Sequence, residues 1–328
     1  MRAAVCPEYG PPEIVRIEDF PSPPLVLGHA RVRVEAAAVN FPDVLLVADQ
    51  YQLTVPLPFV PGSEFAGVVV EVADDVADAA VGDRVFGSTM VGAFAEEVVV
   101  PATSLTRIPT GVETRHAAAF GVAHGTAYHV LRSVARLEPG EKLVVLGAGG
   151  GVGLAAVQLG AVLGASVTAV ASSAAKLEVA KAHGAGTLVD HKAGELRQAL
   201  REALPGGADV VVDPVGGDLS EPALRSLRWG GRFVTVGYAS GVIPRIPLNL
   251  VLLKGVHVVG FQMRDFAANA AEELHRNEHE LLQLLASHRA LPHIGAAFDL
   301  AGTAAALRHV ADGRAIGKVV IDVALPTG

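Results

Sequence analysis

The chain has 328 residues, enough for two domains of about 150 residues each. Hydrophobic residues make up 51% and charged residues 18%, which excludes a disordered chain. The net charge of −8 opposes both phosphate-backbone binding and docking on an anionic membrane, so neither nucleic acid nor membrane is an expected partner. The single cysteine, Cys6, excludes an intramolecular disulfide and a four-cysteine zinc site, and it suits a reducing, cytoplasmic compartment. No secretory signal is expected at this start, because Pro7 and Glu8 follow a very short apolar run.

The first 110 residues read as β-rich. Valine-rich runs at 30–36, 66–72 and 94–100 are bounded by Pro, Gly and Asp, and nine prolines between 11 and 61 suit a barrel with long connections. The texture changes near Thr114. Apolar strands at 142–146, 166–171, 187–189, 208–213, 232–236 and 256–260 alternate with helices such as 152–163, 174–183 and 194–204. Continuous apolar strands between helices predict a parallel sheet covered on both faces, and six of them match a doubly wound dinucleotide-binding domain. A long helix at 266–287, a short one at 303–311 and a last strand at 318–323 complete the chain, the strand rejoining the first domain.

No charged residue lies between Lys142 and Lys176, but five glycines between 147 and 153 would break a membrane-spanning helix. That segment reads instead as a strand, a glycine turn and a helix. Its fingerprint is Ala148-x-Gly150-x-x-Gly153, with Gly151 and Val152 opening the helix. Such a turn brings backbone N–H groups and a helix dipole to a pyrophosphate, and Gly153 is expected to let helix and strand pack closely. The second strand ends in Ser172 and Ser173, with Lys176 one turn later and no acid. A carboxylate there would hold the ribose hydroxyls of NADH and repel a 2′-phosphate, so serines and a lysine predict NADPH.

Two other patterns carry less. His275-Arg-Asn-Glu278-His279 matches an H-x-x-E-H zinc pattern but lies in a stretch rich in glutamate, which reads as a solvated helix face. No G-x-S-x-G elbow occurs, and His124 reads as a packing or surface residue.

These residues together resemble the medium-chain dehydrogenase/reductase superfamily, in its zinc-independent NADPH:quinone oxidoreductase family. The resemblance runs through Met1-Arg-Ala-Ala-Val5, Asn40-Phe-Pro-Asp43, Pro61-Gly-Ser-Glu64, Gly82-Asp-Arg-Val85, Gly125-Thr-Ala-Tyr128, the glycine turn, Asp213-Pro-Val-Gly-Gly217 and Gly317-Lys-Val-Val-Ile321. It implies an α/β fold: a GroES-like β-barrel catalytic domain from residues 1–120 plus 264–328, and an inserted Rossmann domain at 121–263. It also implies an active site between the two domains, with Asn40 and Tyr51 as catalytic residues. The implied cofactor contacts are Thr126, His191, Val236, Gly237 and Phe261, beside those of the glycine turn. Zinc-dependent members carry cysteine and histidine where this chain has Asn40 and Ser63, so no zinc is expected. Leu45 and His191 stand where some members carry tyrosine. The implied activity is NADPH-dependent hydride transfer to a small electrophile, a quinone or an α,β-unsaturated carbonyl, by a homodimer. An enoyl-thioester reductase and an NADPH-binding protein with little catalysis remain alternatives.

Overall fold

The computed structural model describes residues 1–323 and divides into two compact units, one of residues 1–122 with 291–323 and one of 123–290. The expected second boundary at 263/264 therefore falls at 290/291.

Unit 1 begins with the antiparallel pair β1 (Arg2–Val5) and β2 (Arg16–Asp19). It continues with β3 (His29–Val39), helix α1 (Phe41–Val47), β4 (Glu64–Val72), β5 (Arg84–Ser88), β6 (Glu97–Pro101), β7 (Leu105–Arg107) and helix α2 (Thr114–Ala118). β3 is the longest strand, and it alternates as a half-buried strand must. Ala30, Val32, Val34 and Ala36 point into the core while Arg31, Arg33 and Glu35 face outward. Helix α1 starts at a capping box in which Asn40 and Asp43 satisfy each other's end of the first turn.

Helix α3 (Gly121–His129) leads into unit 2. There follow β8 (Lys142–Leu146), α4 (Gly151–Val162), β9 (Ser166–Ala171), α5 (Ala174–Ala182), β10 (Thr187–Asp190), α6 (Leu196–Ala203), β11 (Ala208–Asp213), α7 (Ser220–Arg225), β12 (Leu227–Thr235), α8 (Leu248–Lys254) and β13 (His257–Gly260). The sheet is wholly parallel in the order β10-β9-β8-β11-β12-β13, so the chain reverses direction of travel between β8 and β11. The predicted six strands are all present. β12 starts five residues earlier than expected, and its register against β11 shifts between Ala208 and Val210.

The expected single helix at 266–287 is two: α9 (Met263–Asn269) and α10 (Ala271–Ala286), broken where Ala270 leaves helical geometry at φ −137° and ψ 49°. Both belong to unit 2 because α10 is anchored there. Asn277 donates to Ser133 Oγ at 2.9 Å and bonds His129 Nδ1 at 3.1 Å, and Tyr128 donates to Glu280 at 2.7 Å. The Phe266 ring packs 4.9 Å from that of His129.

The chain then returns to unit 1 through β14 (Ile294–Asp299), α11 (Thr303–Ala311) and β15 (Lys318–Asp322). β15 pairs antiparallel with β3, as expected for the last strand, and the larger sheet runs β14-β15-β3-β4-β5-β7 with β6 also on β3.

Close packing of α4 uses Gly160 against the strands as well as Gly153 against the turn that follows β8. A Cβ on Gly160 would lie 2.5 Å from Leu143 Cδ2 and 3.3 Å from Val167 Cγ2, whereas one on Gly153 would land on the carbonyl oxygen of Gly147. Gly160→Val should therefore destabilise the fold by about 1–3 kcal/mol through overpacking, measured by denaturant unfolding.

Candidate active site

The expected site residues form two groups, one on each unit. In unit 1, Asn40 lies at the N-cap of α1, directly after β3, and is 8% exposed. Its amide is fixed by its neighbours. Lys318 donates to Asn40 Oδ1 at 2.6 Å, and Asn40 Nδ2 donates to Glu64 Oε1 at 3.0 Å and to Ser63 Oγ at 3.3 Å. Lys318 also pairs with Glu64 Oε1 at 2.5 Å, with the two side chains 4% and 1% exposed. The other Glu64 oxygen accepts the Val122 N–H at 2.9 Å. A buried ammonium is thus held by an amide oxygen and a carboxylate, the arrangement that makes a buried ion pair tolerable.

Asp43 completes the cluster. Its Oδ2 accepts the Asn40 N–H at 2.7 Å. Burial pushes its carboxyl up to about 7; the Asn40 N–H and the Lys318 charge act the other way, and Glu64 adds to the rise. Glu64, Lys318 and Asp43 were not singled out as site residues in the sequence, although each lies in a quoted motif. One signal was available: Lys318 is a charge set directly before the apolar run Val319-Val-Ile321.

Tyr51 lies in the segment after α1, partly buried against the unit 1 core, and makes no hydrogen bond among the described residues. The structure shows no bond linking it to Asn40.

In unit 2 nearly all expected cofactor residues gather at the carboxyl ends of the parallel strands, where ligands bind in open α/β sheets. Ala148 follows β8, Ser172 and Ser173 follow β9, His191 follows β10, Val236 and Gly237 follow β12, and Phe261 follows β13. Thr126 is placed apart, on α3.

The turn after β8 fits a pyrophosphate. The first intrahelical bond of α4 is Leu154 N–H to Gly150 O, leaving the N–H groups of Gly151, Val152 and Gly153 ahead of the ladder. A Cβ on Gly150 would meet only Gly147 O, at 3.5 Å, so this face of the turn is open to a ligand. Gly149 is different: its missing Cβ leaves room for the stem of Lys176, whose Cβ, Cγ and Cδ lie 2.6–2.8 Å from where it would be. Ser173 caps α5, accepting the Lys176 N–H at 3.4 Å.

Asp213 went unremarked in the sequence as a shaping residue. It is buried at the end of β11 and accepts the N–H groups of Val215 and Gly216, both at 2.8 Å, and the Ser220 hydroxyl at 2.5 Å. This fixes the loop whose Val215 packs on Gly147.

The remaining histidine patterns are structural. His275 and His279 lie exposed on α10, His275 facing Glu278 at 3.7 Å and His279 bonding Gln283. Buried His124 bonds Gln158 at 2.9 Å. Among the described residues no group of three or more His, Cys, Asp or Glu is arranged to hold a metal, and no helix is long and apolar enough to cross a membrane.

The Asp43 carboxyl makes a pH prediction. Between pH 4 and 7 the folded chain keeps a proton that the unfolded chain, titrating near 3.8, releases. Asp43 therefore opposes folding increasingly across that window. Asp43→Asn cannot titrate, so its stability relative to the parent should rise from pH 4 to 7 and then level off, as read by urea unfolding at each pH.

Comparison with known proteins agrees with both units. A family model described as an alcohol dehydrogenase GroES-like domain matches residues 26–110, and one described as a zinc-binding dehydrogenase matches 151–286. Quinone oxidoreductase-like protein 2 of Bos taurus is 38% identical over 324 residues, 98% of this chain and 92% of its own length. The solved quinone oxidoreductase of Thermus thermophilus, described also as its NADPH complex, has a TM-score of 0.86 at 32% identity and covers 98% of this chain and 100% of its own. Polyketide synthase GfsB of Streptomyces halstedii is 38% identical over 301 residues, 92% of this chain but 5% of the synthase. With its GroES-like domain, its six-stranded Rossmann sheet and relatives of this identity, the chain belongs to the quinone oxidoreductase family of the medium-chain dehydrogenase/reductase superfamily.

Proposed function

We propose that the protein is an NADPH-dependent reductase that passes hydride to a conjugated acceptor, a quinone or an α,β-unsaturated carbonyl, without a metal. The observation that carries this reading is the acid-free end of β9, where Ser173 caps α5 and Lys176 lies across Gly149. That arrangement suits a 2′-phosphate, which a carboxylate would repel. When bound, NADPH supplies the hydride; the chain supplies position and electrostatics.

Asn40 is the proposed partner of the acceptor oxygen. Lys318 holds its Oδ1, so the amide presents N–H and not C=O elsewhere. Of its bonds, the 3.3 Å one to Ser63 is the longest and the one an acceptor oxygen takes over most readily. An N–H aimed at developing negative charge lowers the barrier. Tyr51 is the proposed proton donor.

The test is NADPH oxidation by the purified protein with a simple para-quinone and a short-chain enal side by side. Turnover with either supports the reading; none with both contradicts it. Asn40→Ala should lower kcat by about 10²-fold, in line with loss of one oxyanion donor, with the Kd for NADPH unchanged.

The polyketide synthase relative favours a second reading, an enoyl-thioester reductase. An enoyl-CoA preferred over the matching free enal by kcat/KM would select it.

We also propose a homodimer. β13 is an edge strand, and Trp229, Val258 and the α8 residues Leu248, Leu252 and Leu253 are exposed around it, Leu252 at 80%. An apolar edge of this kind is suited to pairing with a second copy. Light scattering should give twice the chain mass for the parent and a monomer for Leu252→Glu with Val258→Lys; a monomeric parent would refute the dimer.

A further inference from the structure

The carboxyl ends of β9 and β10 bring three basic side chains to one corner of unit 2. In the strand register Asp190 lies opposite Ala171, and the His191 N–H donates to Ala171 O at 3.1 Å. His191 is therefore beside the Ser172–Ser173 turn. Lys176 enters from α5, its backbone tied to Ser173 and its stem crossing Gly149. Lys192 follows His191, with its N–H on Asp190 Oδ1 at 2.8 Å.

These groups feel one another. Burial and then the Lys192 charge push the Lys176 ammonium down. His191 is pushed down by burial first; Asp190 opposes that, and Lys192 and Lys176 add to it. The charged groups facing the imidazole are thus Asp190 and Lys192 from its own segment and Lys176 from α5.

We propose that His191 takes up a proton from solvent when the 2′-phosphate of NADPH binds, making the choice of NADPH over NADH pH-dependent. The proposal rests on the NADPH reading above. A phosphomonoester brings close to two negative charges at neutral pH, and an opposite charge within about 4–6 Å raises a histidine by 1–3 pKa units. An imidazole held neutral in the free protein then becomes an imidazolium in the complex, adding a charge-assisted donor to the lysines. NADH lacks the phosphate and induces no such uptake. A tyrosine at this position would stay neutral throughout.

Isothermal titration calorimetry at pH 7 in two buffers of different ionisation enthalpy tests this. Expected is net proton uptake on binding NADPH, none on binding NADH, and loss of the uptake in His191→Gln, which still prefers NADPH through Lys176. From pH 8 to 6.5 the preference for NADPH over NADH should grow about threefold to tenfold in the parent and less in the variant. The phosphate's own titration is common to both proteins, so their difference isolates the histidine. Equal uptake in parent and variant, or none in the parent, would overturn the proposal while leaving NADPH specificity standing. NADPH binding no tighter than NADH at any pH would instead overturn the cofactor reading and this inference with it. Should His191→Gln fail to fold, the ring NMR shifts of His191 in the parent, titrated with and without NADPH, give the same answer: an unchanged midpoint refutes it.

Discussion

The ammonium of Lys318, a residue only 3% exposed, lies between the amide oxygen of Asn40 and the carboxylate of Glu64, and the chemistry proposed for unit 1 depends on that contact. Removing one partner from a buried pair costs about 3–5 kcal/mol, because the other charge is then left without compensation. The contact joins residues 278 positions apart, so the last strand of the chain sets the orientation of a side chain near its beginning. It also decides which end of the Asn40 amide faces outward. With Oδ1 engaged by lysine, the N–H donated to Ser63 at 3.3 Å is the one proposed to pass to a substrate oxygen.

Unit 2 obeys a different constraint. Parallel strands put every βα turn on one edge of the sheet, so loops far apart in sequence arrive together without long-range design of each. What is particular to this chain is clearance. Gly153 keeps the turn free of the Gly147 carbonyl, Gly160 lets α4 settle on β8 and β9, and Gly149 makes room for Lys176. The lysine proposed to read a phosphate is thus given room by a glycine 27 residues earlier.

The parallel sheet was legible because its strands are buried on both faces and read as unbroken apolar runs; β8, β9 and β11 have the expected limits. Less visible were β5, β7 and β14, which are short or only half buried and mix charged or small residues into the pattern. The break at Ala270 carries no glycine or proline, so nothing local announces it; contacts of Phe266 and Asn277 hold the helices on its two sides. The glycine turn and the missing acid after β9 were readable because each is a local pattern with a direct physical reason. The Lys318, Glu64 and Asp43 cluster was not, since its members are adjacent only through strand pairing of β15 and β4 with β3.

The most direct measurement of the central claim is single-turnover oxidation of NADPH carrying deuterium at C4, followed after mixing the protein–cofactor complex with a conjugated acceptor. Hydride transfer predicts oxidation that requires the acceptor and is slowed by the label. NADPH that binds yet stays reduced in the presence of both quinone and enal would contradict the account and leave a nucleotide-binding protein in its place.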